Sequence, residues 1–405
     1  MRILFLTQYF PPEMGAAQLR LAACIRELRK LGHDVEVVTA LPNHPNGAIF
    51  PAYRGRFAVT EDWEGIPVHR VWLYASLGRS WKRLLNYFSF MATAWWGLLK
   101  AERPDLLFVE SPPLFLSVTA WVYGLLFRVP FLFNVADLWP DSVKKLGLME
   151  DGFMLRAAEG LEAWSYRKAA LVNAVTQGIE SVLTEEKGVP AAKVLWLPNG
   201  VDTELYRPQE GDAALARELG LEGKAVVLYA GTMGYAHGVE VALEAAPLVA
   251  EAGIHLLFVG EGSEKAMLLE KAKGLANVTF LPAQPPERVA QLYSLCYAGL
   301  STLRDSPLFE GTRPVKIFAC MACAKPVAYC GKGEGARLVE AQQAGLTCPP
   351  EDPRALADLL IRLKEAPDLA HDLGAHGRAF VTRELSWGSL VAAWADRLTE
   401  RLAAR

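Results

Sequence analysis

Short apolar runs rich in Val, Leu, Ile and Phe recur along this chain. Between them lie longer stretches whose apolar positions return at helical spacing. "RILFLTQYF", "DVEVVTAL", "LLFVES", "FLFNVAD" and "LVNAVT" read as strands of one series, and "AVVLYAGTMG", "IHLLFVGEG", "NVTFLPA", "AGLSTLR" and "PVAYCG" as strands of a second. Strand runs alternating with helical patterns predict parallel sheets covered by helices, an α/β fold of two Rossmann-like, doubly wound domains. "LWLPNGVDTELYRPQ", dense in Pro, Gly and Asn, separates the series and places the junction. Residues 1–203 are expected to form an N-terminal domain and 204–385 a C-terminal one, with the last helical stretch, 386–405, packing on either. A chain of 405 residues also exceeds the usual size of one hydrophobic core. Each domain would leave a crevice at the carboxyl ends of its strands, so a ligand is expected between the two.

Composition narrows the function classes. The formal charge is only -3 with acidic and basic residues intermixed, which implies no general polyanion-binding surface and argues against nucleic acid as partner. The opening "MRILFLTQYF" runs from one Arg into a short apolar stretch that meets Gln8 and two prolines, so it reads as a first strand of a cytoplasmic protein. Six cysteines in such a chain are expected as reduced thiols. Cys320 and Cys323 form a C-x-x-C followed by Cys330 and Cys348, but a zinc site needs four converging ligands, and small apolar packing is the preferred reading with no metal. Arg128 and Pro130 interrupt the longest candidate membrane span. Residues 79–100 carry Arg79, Lys82 and Arg83 ahead of aromatics and leucines. That composition suits a helix lying in a lipid interface at the inner face of the cell membrane, and equally a core helix of a Rossmann-like domain.

Several loops carry candidate chemistry. After the first strand, Pro11, Pro12 and Gly15 make a tight turn, and the small Ala16 and Ala17 let backbone N–H groups approach an anion, although any strand-to-helix turn also calls for a glycine. "VADLWPDS" closes a strand with Asp137 and Asp141 around Trp139, whose ring suits a sugar face; Asp141 also suits a helix cap. His44, between prolines, is a base, a hydrogen-bonding group or a plain loop histidine. In "FEGTRPVKIFACMACAKP" a Gly/Pro loop with Arg313 and Lys316 runs into a helix, a natural place for phosphate. Helical spacing puts Thr312, Lys316, Ala319, Cys320 and Cys323 on one stripe.

"LGHDVEVVTALPNHPNG", "PNGVDTELYRP" and the G-x-G of "FVGEGSEK", taken in order, resemble the retaining glycosyltransferases of family 4, which have the GT-B fold, and the likeness runs along nearly the whole chain. Within that family it is most similar to the branch typified by fucosamine transferases of surface-polysaccharide synthesis. The branch pattern is present as "QYFPPEMG", Arg20 in the first helix, "PNHPNG" at 42–47 and "DLWPDS" at 137–142. The resemblance implies transfer of a sugar, such as an amino- or deoxyhexose, from a nucleoside-diphosphate sugar to a glycan or polyprenyl-linked acceptor, with no metal or other cofactor. Lys316 and Arg313 would neutralise the leaving diphosphate, Asp137 would engage the acceptor, and the donor phosphate itself would act as base. Gly15, Ala16, Gly231, Thr232, His237, Gly260, Glu261, Glu310, Thr312, Gly333, Glu334 and Gly335 would line the donor. Arg20, His44, Trp139 and Asp141 would face the acceptor.

The chain also departs from the family. Where members commonly place an Arg and a Lys to grip the diphosphate, it has Thr232 and His237, and where they place the glutamate that accepts from both ribose hydroxyls it has Ala319. Glu310 or Glu334 would have to supply a carboxylate from a neighbouring segment. Two rival readings follow: a catalytically weak GT-B subunit that binds a partner enzyme or glycan, and a sugar-nucleotide epimerase, whose usual array of acidic and histidine groups is not evident.

Overall fold

The computed structural model describes residues 1–13, 15–44, 46–76, 81–141 and 152–404. Arg79 and Ser142, named above, lie outside them, as does the side chain of Ala16. The chain divides into two compact units, Met1–Asn199 with Leu390–Arg405, and Gly200–Ser389.

The first unit holds an eight-stranded sheet: β1 (Arg2–Leu6), β2 (Asp34–Ala40), β3 (Ala58–Trp63), β4 (Ile66–Val71), β5 (Leu106–Ser111), β6 (Phe131–Val135), β7 (Leu171–Ala174) and β8 (Val194–Trp196). Their order across the sheet is β3-β4-β2-β1-β5-β6-β7-β8. Every neighbouring pair is parallel except β3 with β4. Helices α1 (Ala16–Lys30), α2 (Trp81–Lys100) and α3 (Leu116–Phe127) follow β1, β4 and β5. β5 and β6 are buried along their whole length, which is why they read as largely apolar runs, broken only by Glu110, Ser111 and Asn134. β3 and β4 were not foreseen. Each carries adjacent polar or charged residues, Glu61 with Asp62 and His69 with Arg70, and the two are joined at Glu64 and Gly65, both at positive φ, the geometry that a tight hairpin requires.

A buried polar chain crosses this sheet from α1 to the last helix. Arg20 ion-pairs with Glu110, Asn134 donates to Glu110 at 2.7 Å, Asn173 donates to Asn134 at 2.6 Å, and the indole of Trp394 donates to Asn173 at 2.9 Å. Removing one member would leave a buried polar group without its partner, so the chain fixes the C-terminal segment on this unit.

The second unit is a six-stranded, all-parallel sheet: β9 (Ala225–Ala230), β10 (Ile254–Val259), β11 (Val278–Leu281), β12 (Cys296–Thr302), β13 (Val327–Cys330) and β14 (Gly345–Cys348). The order is β11-β10-β9-β12-β13-β14, so the chain leaves β9 on one side, returns, and continues from β12 on the other. In the first unit the same reversal falls between β1 and β5. Such switch points are where doubly wound sheets receive ligands.

Candidate functional site

At the switch point of the second unit, the loops after β9 and β12 bring a lysine against a glycine. Lys316 opens the helix Lys316–Ala322, and its ammonium donates to the Tyr229 hydroxyl at 2.6 Å while lying 3.9 Å from the centre of that ring. Tyr229, near the end of β9, donates in turn to the Thr232 carbonyl at 2.6 Å. A side chain at Gly231 would come within 3.0 Å of Lys316 Cε, so the glycine makes room for the lysine stem. Burial lowers the lysine pKa to about 7. His237 lies in the same loop, and burial followed by the Lys316 charge pushes its imidazole down to about 4, leaving it neutral at physiological pH with a buried, unpartnered Nδ1. Two basic groups thus share one small region, and each holds its proton less tightly than usual.

The neighbouring residues are placed as follows. Arg313, in the loop before the helix, ion-pairs with Glu334, which sits in the first turn of the helix Gly333–Ala341. The pair brings together the expected leaving-group cation and the expected replacement carboxylate, so Glu334 is already committed to the arginine. Gly333 has φ +81 and lies against the Glu310 backbone, which a side chain would strike; the Glu334 N–H donates to the Glu310 carbonyl at 2.7 Å. The Glu310 side chain points to Arg337 at 3.9 Å. Gly335 packs against the Tyr329 ring.

Gly260, at φ +147, abuts the Gly231 carbonyl, and Gly262 abuts the Met233 backbone, so close packing of the loops after β9 and β10 accounts for both glycines of the G-x-G. Glu261 is held by Lys265 at 2.7 Å. The expected stripe through Thr312 is corrected: the helix starts at Lys316, and Thr312 belongs to the preceding turn, donating its N–H to Phe309. Cys320 and Cys323 face the core while Lys316 and Ala319 are only half-buried, so Ala319 does share the open side with the lysine. All six cysteines are buried thiols.

In the first unit the loop after β1 is stitched to the loop after β2 by a residue the sequence reading passed over. Glu13 is fully buried, and its carboxylate accepts from the N–H groups of Asn43 and His44, both at 2.8 Å, and of Phe10 at 3.2 Å. The "QYFPPE" and "PNHPNG" motifs are therefore two halves of one device. The only signal for it was an acidic residue embedded in an apolar, proline-rich turn. His44 stands 5.7 Å from the Tyr9 ring, its Nδ1 is buried without a partner, and burial lowers its pKa. Gln8 donates to Asn86 of α2 at 2.6 Å, tying that helix to the same loop.

Gly15 precedes α1 with extended backbone and no side-chain cap, and Ala16 is the helix's first residue. Asp137 follows β6 and accepts from the Trp139 N–H at 3.0 Å through its carbonyl, and Trp139 packs at 6.4 Å from Phe115. The other two acceptor candidates are held in ion pairs. Arg20 is buried in its pair with Glu110 and faces no open surface. Asp141 is bound by Lys187 at 2.8 Å, and that lysine also holds buried Glu162 at 2.9 Å.

Sheet order, switch-point glycines and a switch-point lysine define the class: a two-unit α/β protein of the GT-B fold. The family model of the glycosyl transferase 4-like domain matches residues 15–200, and that of glycosyl transferases group 1 matches 224–366. The chain is a GT-B glycosyltransferase. It is similar to a protein of Escherichia coli K12 described as the colanic acid biosynthesis glycosyl transferase WcaI, with 28% identity over 73% of this chain and 75% of the relative. It is also similar to a D-inositol 3-phosphate glycosyltransferase of Segniliparus rotundus, with 31% identity over 51% of this chain and 46% of the relative. Among solved structures, sucrose-phosphate synthase of Thermosynechococcus elongatus superposes with a TM-score of 0.75 at 19% identity, covering 100% of both chains. Anabaena HepE, solved with UDP-glucose, gives 0.72 at 20% identity, covering 99% of this chain and 100% of its own.

Proposed function

We propose that this glycosyltransferase is a retaining, metal-independent enzyme of surface-polysaccharide synthesis. In this reading it moves an amino- or deoxyhexose, such as N-acetylfucosamine, from a nucleoside-diphosphate sugar to a glycan or polyprenyl-linked acceptor. The observation that carries it is Lys316, the basic group held at the switch point of the second sheet against Gly231. Lys316, with Arg313, stabilises the negative charge that grows on the leaving diphosphate. His237 donates to it once protonated. Asp137 orients the acceptor hydroxyl, which loses its proton to the departing phosphate as the new bond forms on the same face of the sugar. The similarity to WcaI supports the polysaccharide setting.

A lipid-linked acceptor fits the face that α2 leaves open. Trp81, Leu85, Phe88, Trp96 and Leu99 are exposed on it beside Lys82, Arg83 and Lys100. Such a face suits peripheral contact with an anionic membrane. Among the described residues no helix is long and apolar enough to cross one.

The test is nucleotide binding. Thermal shift and saturation-transfer NMR with UDP, GDP and dTDP at millimolar concentration are expected to give a response to at least one, lost in Lys316→Met. Silence toward all three would refute the donor assignment and favour a binding subunit.

A further inference from the structure

The turn that carries His237 is gripped from one place. The exit of β12 reaches across to the loop after β9 and binds three successive carbonyls of the short helix Tyr235–His237. Arg304 donates Nε to the Tyr235 carbonyl at 2.6 Å and its backbone N–H to the Ala236 carbonyl at 3.0 Å. The Thr302 hydroxyl donates to the His237 carbonyl at 2.6 Å. The Arg304 guanidinium also lies 4.5 Å over the Tyr235 ring, and its stem packs against Gly238, which turns the chain away at φ +53.

The charge of Arg304 is spent elsewhere. It pairs with Glu240 in the first turn of the next helix, with Glu264 at 3.5 Å and with Glu351 at 3.3 Å. One cation among three carboxylates has no net charge to offer an anion, so it is poorly suited to contact phosphate. What it supplies is geometry. Segments following β9, β10, β12 and β14 meet on this one side chain, and the short helix it fixes presents the buried imidazole beside Lys316.

We propose that Arg304 is a positioning residue for the diphosphate of a nucleotide donor: with Thr302 it locks the Tyr235–His237 turn so that His237 and Lys316 converge on the same phosphates. This rests on the donor reading given above. Sequence alone gives Arg304 no motif, because its partners are backbone carbonyls far away in the chain.

The test compares nucleoside diphosphates with their nucleosides, using uridine, guanosine and thymidine with UDP, GDP and dTDP on the full chain by titration calorimetry. For whichever base the wild type binds, Arg304→Gln is expected to weaken the diphosphate about tenfold while leaving the nucleoside within about twofold, because only the phosphate half depends on the turn. The His237 ring signals in proton–carbon NMR are expected to move in the same variant. Thr302→Val, which removes one of the three grips without touching charge, is expected to give a smaller loss in the same direction, and it serves if Arg304→Gln fails to fold. Unchanged diphosphate affinity in both variants, or equal loss for nucleoside and diphosphate, overturns the proposal and leaves the donor reading standing. A wild type that binds no nucleotide overturns the donor reading and this proposal with it.

Discussion

Nucleotide-sugar binding is expected to depend on pH through one lysine. The Lys316 ammonium is faced by Tyr229 from β9 and by His237 from the following loop, and neither is a carboxylate that would hold its proton. Burial therefore lowers its pKa to about 7 in the free protein. A diphosphate binds the protonated form and restores an ordinary lysine pKa in the complex, so affinity falls as pH rises through the lowered value. With one such group, affinity should drop about thirtyfold from about pH 6 to about pH 8.5, and binding at about pH 8 should take up about 0.9 proton.

The assay is calorimetry with UDP-, GDP- and dTDP-glucose, whose diphosphates do not titrate in that window. Repeating it in buffers of different ionisation enthalpy counts the protons. Lys316→Met should bind weakly at every pH and lose the slope, whereas His237→Gln should keep it. Affinity that is flat with pH, or a slope that survives in Lys316→Met, would refute the reasoning.

Two further outcomes follow from the same surfaces. Ala319 shares the half-buried side of its helix with Lys316. Ala319→Glu should therefore tighten UDP about tenfold, since two charge-assisted bonds of about 1.5–3 kcal/mol each are partly offset by ordering the side chain; unchanged affinity would place the ribose elsewhere. For α2, co-sedimentation with vesicles containing phosphatidylglycerol should capture the wild type and fail for Trp81→Ser combined with Lys82→Glu and Arg83→Glu. Equal capture of both proteins would remove the membrane contact.

The sequence disclosed what burial on both faces imposes and hid what depends on distant partners. β1, β5 and β6 were legible because a strand covered on two sides must be mostly apolar. β3 and β4 were missed because polar and charged residues interrupt them: Arg70 ion-pairs with Glu61, and His69 Nε2 meets Glu36 at 2.9 Å, contacts that form only once the sheet exists. The short β8 and β14 offered too few residues for a periodicity to show. At the site, the glycine loops and Lys316 could be read from their local pattern. The pairing of Arg20 with Glu110, of Asp141 with Lys187 and of Arg313 with Glu334 could not, since each joins residues from separate elements. Glu13 and Arg304 escaped for the same reason, their partners being backbone groups that carry no side-chain signature.

Those pairings bear on how the enzyme handles charge. In the free protein Lys316 holds its proton loosely, His237 is neutral and Arg313 is matched by Glu334. The donor region therefore keeps little fixed positive charge while it is empty, and it avoids the cost of burying cations that nothing balances. On the donor reading, positive charge is drawn in as negative charge arrives. Breaking the bond between sugar and phosphate adds one negative charge to the diphosphate, so Lys316, protonated as the donor binds, and His237, which takes up a proton more readily at that moment, stabilise the transition state more than the bound donor. A site charged in advance would hold the intact donor tightly and would have less left to contribute as the bond breaks. The substitutions that appeared to weaken the family pattern, Thr232, His237 and Ala319, then lower ground-state affinity without removing the group on which the chemical step depends.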